Sequence, residues 1–371
     1  MSLMTIVLFV AGIVLLVWGA DLLVRGAAHL AAAAGVSSLI IALTVVALGT
    51  SAPELAVSLR AALAGQADLT LGNIVGSNIA NILLILGLAA VVAPLLVSPQ
   101  LLRREVPMMI GVSLLLWLLA ADGSISRFDG SVLLAMLVLF LGVTIWTNRR
   151  STRPPNATAI PRLAAHQSRL SIGRNLALVI GGLILLVAGA QWLVDGAVTF
   201  ARTLGVSELI IGLTVVAIGT SLPEIATSVL AGLRGERDIA VGNVVGSNIL
   251  NILGVLGLTA LLSPAPIAVP VGVLTFDMTV MVATAVACLP IFINGQMIAR
   301  WEGGLFLAYY AAYTIYLILA AAQHEALPAF RTALIFFVIP LTIITFLAIV
   351  VWNRRRRWQG GKVRSTQPSD Q

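Results

Sequence analysis

Apolar stretches follow one another along the whole chain, separated by short polar or basic segments. They occupy residues 4–34, 38–64, 69–93, 106–121, 126–147, 175–204, 208–233, 238–262, 270–293, 299–322 and 330–352. A helix needs about 20 mainly apolar residues to cross roughly 30 Å of hydrocarbon, and it can do so because its backbone satisfies its own hydrogen bonds. The pattern therefore predicts eleven transmembrane helices. The first run has no basic leader and stays apolar past the length of a signal-peptide core, so it is expected to persist as a helix in the mature protein.

Two of the runs carry the same polar interruption. Val46-Ala47-Leu48-Gly49-Thr50-Ser51-Ala52-Pro53-Glu54 returns 170 residues later as Val216-Ala217-Ile218-Gly219-Thr220-Ser221-Leu222-Pro223-Glu224, and the match runs without a gap from Gly19/Gly189 to Gly87/Gly257. A weaker echo, Arg127-Phe128-Asp129-Gly130 and Arg300-Trp301-Glu302-Gly303, precedes the fifth span of each half. Each copy holds five spans, an odd number, so the second enters the membrane in the opposite sense. The expected fold is an all-α polytopic membrane protein of two inverted five-helix repeats plus one extra C-terminal helix. Its parts are a first repeat (1–148), a short flexible cytoplasmic linker (149–174) with no room for a regulatory domain, a second repeat (175–322), and the extra helix with a basic tail (323–371).

Composition agrees. Hydrophobic residues make up 59% of the 371 and charged residues 10%, against about 25% charged in soluble domains. A net charge of +7 would suit nucleic acid, but the arginines fall in loops and tails, where they act as topology signals. With the linker in the cytoplasm, 18 of the 22 basic residues share its side, and Arg60, Arg127, Arg202 and Arg331 do not. The chain is thus expected in the cell membrane with its N-terminus outside and its C-terminus cytoplasmic. Its surroundings are the lipid bilayer, no nucleic acid is implied, and any oligomeric partner is left open. The lone Cys288 has no intrachain disulfide partner, which leaves the redox compartment open.

The repeated motif is also where the chemistry lies. An uncompensated carboxylate in hydrocarbon costs at least a few kcal/mol, so Glu54 and Glu224 require a protein-lined cavity with a proton or cation. Helical spacing puts Ala47, Thr50, Ser51, Glu54 and Ser58 on one face, and likewise Ala217, Thr220, Ser221, Glu224 and Ser228. Pro53 and Pro223 cannot donate to the carbonyls of Gly49 and Gly219, which opens the backbone beside the carboxylates. The next span adds a polar face of Asn73, Ser77 and Asn81, repeated as Asn243, Ser247 and Asn251. Gly72/Gly76 and Gly242/Gly246 allow another helix to approach closely. Carboxylates, carbonyls, hydroxyls and amides without His or Cys form a hard-oxygen set suited to Na+ and Ca2+. The blander readings are a proline-kinked helix with a structural glutamate, and asparagines that only join helices, especially Asn73, Asn78, Asn243 and Asn248. Asp21 with Arg25 reads as a helix-end ion pair, and Asp195 and Asp277 as snorkelling or paired structural groups near span ends.

At these motifs the sequence resembles the Ca2+/cation antiporter superfamily, specifically the prokaryotic sodium/calcium exchangers, over roughly residues 10–320. The resemblance implies four ion sites midway through the bilayer. Glu54 and Glu224, with the carbonyls of Thr50 and Thr220, would form the Ca2+ site. Sodium sites would use Ala47, Ser51 and Ser77 on one side and Ala217, Thr220, Ser221 and Ser247 on the other, with Asn81 and Asn251 lining the middle. It implies no cofactor, only the transported ions. Several relatives, including potassium-dependent exchangers, carry aspartate at the position of Asn251, so a third central carboxylate is absent here. The extra helix departs from the ten-helix core, and the absence of a calcium-sensor domain from the animal exchangers.

The expected function is a secondary antiporter exchanging Na+ for Ca2+ by alternating access, not an enzyme. The first and sixth spans are expected to slide against the rest on their Gly19-Ala20 and Gly189-Ala190 pairs. The nearest alternative is a calcium/proton antiporter using the same glutamates. A passive channel would not drive calcium uphill, and an intramembrane hydrolase would call for an H-E-x-x-H-type cluster that the sequence lacks.

Overall fold

The computed structural model describes residues 3–34, 36–151, 168–204, 217–293, 296–324 and 326–333. The first half runs α1 (Leu3–Ala34), α2 (Ser38–Thr50), α3 (Ala52–Leu63), α4 (Ala67–Val92), α5 (Leu101–Asp122) and α6 (Arg127–Ser151). The second runs α7 (Ser168–Thr203), α8 (Ala217–Thr220), α9 (Leu222–Leu233), α10 (Arg237–Leu262), α11 (Val273–Phe292) and α12 (Arg300–Ala321), followed by α13 (Leu327–Ala333). Among the described residues, eight helices are long and apolar enough to span a membrane, and nine when the bent α2–α3 pair counts as one. The start of the expected seventh span, 208–216, and most of the eleventh, 330–352, lie outside the described residues.

Helices α4 and α10 form the centre. Their most apolar windows are 78% and 83% buried, against 6% for α12 at the periphery. Around them the two halves interleave. The helix α9 packs on α4 as α3 packs on α10, and α12 lies against α4 as α6 lies against α10. Gly87 meets the carbonyl of Gly303, and its repeat partner Gly257 meets that of Gly130. Both contacts bring backbones together where a side chain would hold them apart.

The helices α1 and α7 pack along their length in antiparallel fashion. Gly12 faces Gly189, Gly19 faces Gly182, and Gly26 faces Asn175 and Val179. A Cβ built on Gly19 would stand 2.8 Å from the Gly182 carbonyl oxygen. The Gly19-Ala20 and Gly189-Ala190 pairs therefore do not offer the expected smooth face to the rest of the protein. Their glycines join α1 to α7, because close approach of two long helices consumes the residues without side chains. The alanines are buried as well, Ala20 fully.

Two small antiparallel strand pairs, absent from the hydropathy pattern, cross between the halves: β1 (Leu95–Leu96) with β4 (Met297–Ile298), and β2 (Ser124–Ile125) with β3 (Ile267–Ala268). They belong to opposite ends of the spans they flank. The fourth span begins earlier than its apolar run. A π-helical turn at Leu101–Glu105 includes Arg103, Arg104 and Glu105, whose charges hide it from a hydropathy reading. The Asp21–Arg25 pair forms at 3.0 Å, though α1 continues to Ala34, so it does not mark a helix end. Asp277 is paired, accepting from the Tyr313 hydroxyl at 2.8 Å.

Candidate cation site

The second span breaks at Ser51, where ψ is 5°, and α2 and α3 meet at 45°. Ser221 has the same conformation, with ψ of 6°, between α8 and α9. Proline in the first turn explains both breaks: Pro53 and Pro223 carry no N–H and cannot continue the ladder, but their fixed φ suits a helix start. Each break begins a new helix whose first turn holds the glutamate, Glu54 in α3 and Glu224 in α9. Unpaired N–H groups and the helix dipole favour a carboxylate there. Both helices end alike, at Gly65 and Gly235 with φ of 72° and 78°, a left-handed turn that glycine adopts without strain.

These starts deliver the two glutamates to the protein interior, each 1% exposed. They lie close enough for their charges to repel. The Ser51 hydroxyl stands 3.5 Å from Glu224 Oε1, and Ser221 lies beside Glu54, so each repeat's serine attends the other's carboxylate. Thr50, fully buried, donates to Asn243 Oδ1 at 3.2 Å. The carbonyl of Ala47 accepts the Ser51 N–H at 3.0 Å. Ala217 and Thr220 are the first and last residues of α8.

The facing wall comes from α4 and α10. Ser77, Asn81, Ser247 and Asn251 are all buried, and Asn81 and Asn251 each open a π-helical turn, Asn81–Leu86 and Asn251–Leu256. Such turns recur at functional sites because the extra residue turns side chains and frees carbonyls. The turn at Asn81 packs on α9 and the turn at Asn251 on α3, so each faces the glutamate helix of the other half. Among the described residues, several polar atoms here have no protein partner: Glu54 Oε2, Glu224 Oε2, Ser247 Oγ, Asn81 Oδ1, and both the Nδ2 and the Oδ1 of Asn251. Buried polar atoms are rarely left in this state. An oxygen-lined interior around two carboxylates has the chemistry to hold small hard cations.

Not every residue of the two polar faces joins this lining. Asn73 donates to Ser58 Oγ at 2.8 Å and to the Glu54 carbonyl at 3.1 Å, and Asn243 donates to Ser228 Oγ at 3.1 Å. These asparagines tie α4 to α3 and α10 to α9, the joining role open to them from the sequence. Gly242 and Gly246 seat α2, with a Cβ on Gly246 falling 2.8 Å from Leu43 Cα. The equivalent neighbours of Gly72 and Gly76 lie in 209–213, outside the described residues. Sequence reasoning missed Met109 and Met281, whose sulfurs accept hydrogen bonds from Asn248 and Asn78. Their equivalent places in the two fourth spans were the only available signal.

The chain matches the family model for sodium/calcium exchanger protein over residues 4–146 and 174–319. The sodium/calcium exchanger MaX1 of Methanosarcina acetivorans is 30% identical over 323 residues, which cover 78% of this chain and 92% of that protein. Inner membrane protein YrbG of Escherichia coli is 45% identical over 235 residues, 63% of this chain and 72% of that protein. The solved structure of the sodium-calcium exchanger NCX_Mj, soaked with 10 mM Na+ and zero Ca2+, aligns with a TM-score of 0.73 at 33% identity, covering 86% of this chain and 99% of that one. With its family match spanning both repeats and its helical fold shared with a solved exchanger, the chain belongs to the sodium/calcium exchanger family of multi-pass membrane antiporters.

Proposed function

We propose that the protein moves Ca2+ against its gradient by exchange with Na+, binding both in turn at the site built on Glu54 and Glu224. The observation that carries this reading is the pair of buried carboxylates, one from each repeat, each with an outer oxygen that no group among the described residues satisfies. Two negative charges balance one Ca2+. Ser51, Ser77, Ser221, Ser247, Asn81, Asn251 and the backbone of Ala47, Thr50, Ala217 and Thr220 supply neutral oxygens for sodium and for the rest of the calcium shell. A cation compensates the cost of burying the carboxylates, and an empty site does not, which favours movement in the loaded states.

In this proposal α1 and α7 move as one unit across the remaining helices and expose the site to alternate sides. The linker lies in the cytoplasm and the N-terminus outside the cell. Calcium/proton exchange by the same glutamates is the competing reading, since a proton also neutralises a buried carboxylate. Radiolabelled calcium uptake into sodium-loaded proteoliposomes separates the two. Uptake driven by outward sodium and indifferent to an imposed pH gradient is expected; uptake driven by pH alone would reverse the assignment.

A further inference from the structure

Two methionines lie behind the polar wall in equivalent places. Asn248 Nδ2 donates to Met109 Sδ at 3.4 Å, and Asn78 Nδ2 donates to Met281 Sδ at 3.7 Å. All four residues are buried, none more than 2% exposed. Asn78 and Asn248 are repeat partners, and so are Met109 and Met281 in the two fourth spans, so the contact occurs once in each half. A thioether sulfur can only accept a hydrogen bond, whereas an amide presents a donor on one side and an acceptor on the other. The sulfur thereby fixes which way the asparagine amide points.

That choice propagates. With Nδ2 of Asn248 held by Met109, its Oδ1 is presented inward and accepts from Asn81 Nδ2 at 3.0 Å. The donating group of Asn81 is thus occupied, and its Oδ1 is left without a partner among the described residues. The chain of bonds starts at a sulfur on α5 and ends at a free carbonyl oxygen on a π-helical turn that packs against the helix of Glu224. The second chain stops one bond short. Met281 holds Asn78, but Asn78 Oδ1 and both amide atoms of Asn251 have no partner among the described residues.

We propose that Met109 is a positioning residue for cation selection: through Asn248 it sets the polarity of Asn81, turning a carbonyl oxygen rather than amide hydrogens toward the ion, while Met281 orients Asn78 alone. The inference rests on the proposed sodium and calcium site. It assigns the two sulfurs a task that packing alone would not give them. An amide turned the other way would present N–H groups to a cation, replacing attraction with repulsion at that position. The open link at Asn251 makes the second chain the adjustable one, since its amide is free to turn when an ion enters.

The test is Met109→Leu, which conserves volume and polarity class but removes the acceptor. Apparent sodium and calcium affinities are read from flux kinetics, and independently from the concentrations of NaCl and CaCl2 that half-raise the unfolding temperature of the purified protein. Loss of one neutral buried hydrogen bond corresponds to about a fivefold weaker apparent sodium affinity, with the maximal exchange rate little changed. In an Asn248→Ala background, Met109→Leu is expected to add nothing, because the chain is already cut. Met281→Leu is expected to have the smaller effect. Unchanged ion affinity in Met109→Leu, or an equal loss with and without Asn248, would overturn the proposal and leave the antiporter reading standing. Wild-type protein stabilised by both salts but unable to couple them would sink the antiporter reading and leave the thermal measurement to decide on the sulfurs. Wild-type protein stabilised by neither salt would end both.

Discussion

Asp21 of α1 forms an ion pair with Arg234, the residue that caps α9, and the repeat has no counterpart for it. Moving each by 170 residues arrives at Gln191 and Ala64, which cannot form an ion pair. Asp21 also keeps Arg25 at 3.0 Å. In this structure α1 lies closely against α9, whereas its repeat mate α7 makes no comparable contact with α3. One arrangement of the α1–α7 unit is thus tied electrostatically to the helix of Glu224.

If that tie favours one arrangement, Arg234→Gln and Asp21→Asn should alter the exchange rate in the same direction. A partly exposed pair is worth about 0.5–1 kcal/mol, so each change is expected to be two- to fivefold. The double variant should match the larger single effect, as partners sharing one contact do not add. Additive effects in calcium flux would show that the two residues act separately.

Removing either carboxylate should be decisive. Glu54→Gln and Glu224→Gln are each expected to abolish sodium-driven calcium uptake while leaving helical content and elution volume unchanged, because each deletes half the charge that offsets Ca2+ desolvation. Wild-type uptake in either folded variant would remove these residues from the site.

Asn251→Asp adds a third carboxylate at an amide without a partner among the described residues. It is expected to shift the pH dependence of calcium transport or to introduce sensitivity to potassium, with Asn81→Asp as the symmetric comparison. Transport with unchanged proton and potassium dependence would place Asn251 outside the ion path.

The α1–α7 seam predicts a sharp contrast between neighbouring glycines. Gly182→Ala puts a Cβ 2.7 Å from the Gly19 carbonyl oxygen and should lower thermal stability by several degrees, while no described heavy atom lies within 4 Å of a Cβ on Gly181. Gly181→Ala should be neutral or stabilising by up to about 1 kcal/mol, the usual helix preference of alanine over glycine. Equal melting temperatures for the two variants would show that the seam is looser than these contacts.

Exchange is expected to carry charge. At the proposed site one calcium ion would neutralise the two carboxylates, and a return load of more than two sodium ions would leave an excess positive charge. A potential positive inside sodium-loaded vesicles should then speed calcium uptake, because each cycle removes net positive charge from the lumen. One charge moved through 100 mV is worth about 2.3 kcal/mol, roughly fifty-fold in the sustainable calcium gradient. Uptake insensitive to a clamped potential would indicate electroneutral exchange.

Much of this architecture was readable before any coordinates. The helices, the repeat, the bends at Pro53 and Pro223 and the burial of both glutamates follow from local pattern, since apolar length and proline chemistry act within a few residues. What escaped depends on how distant segments dock. The strand pairs are two residues each, too short for an alternating pattern to register. The turn at Leu101–Glu105 carries charge into a span. The Gly19-Ala20 pair suggests a smooth sliding face but not the helix its glycine meets, and the bond from Asn248 to Met109 joins residues 139 positions apart. The pairing of Asp21 with Arg234 breaks the repeat's symmetry, so a reading based on that symmetry could not contain it.

The crossed strand pairs also bear on how such a molecule can change over time. Each stitch takes one strand from either half, one at each face of the bilayer, so neither half can be closed by itself. A lone repeat would expose unpaired strand edges at both faces, an open glycine seam, and a single carboxylate with no companion. The two copies meet these needs jointly, so a substitution in either half is felt by the other across the shared strands and the glycine seam. The two halves are complementary rather than interchangeable, and a split gene is expected to give activity only when both halves are supplied together.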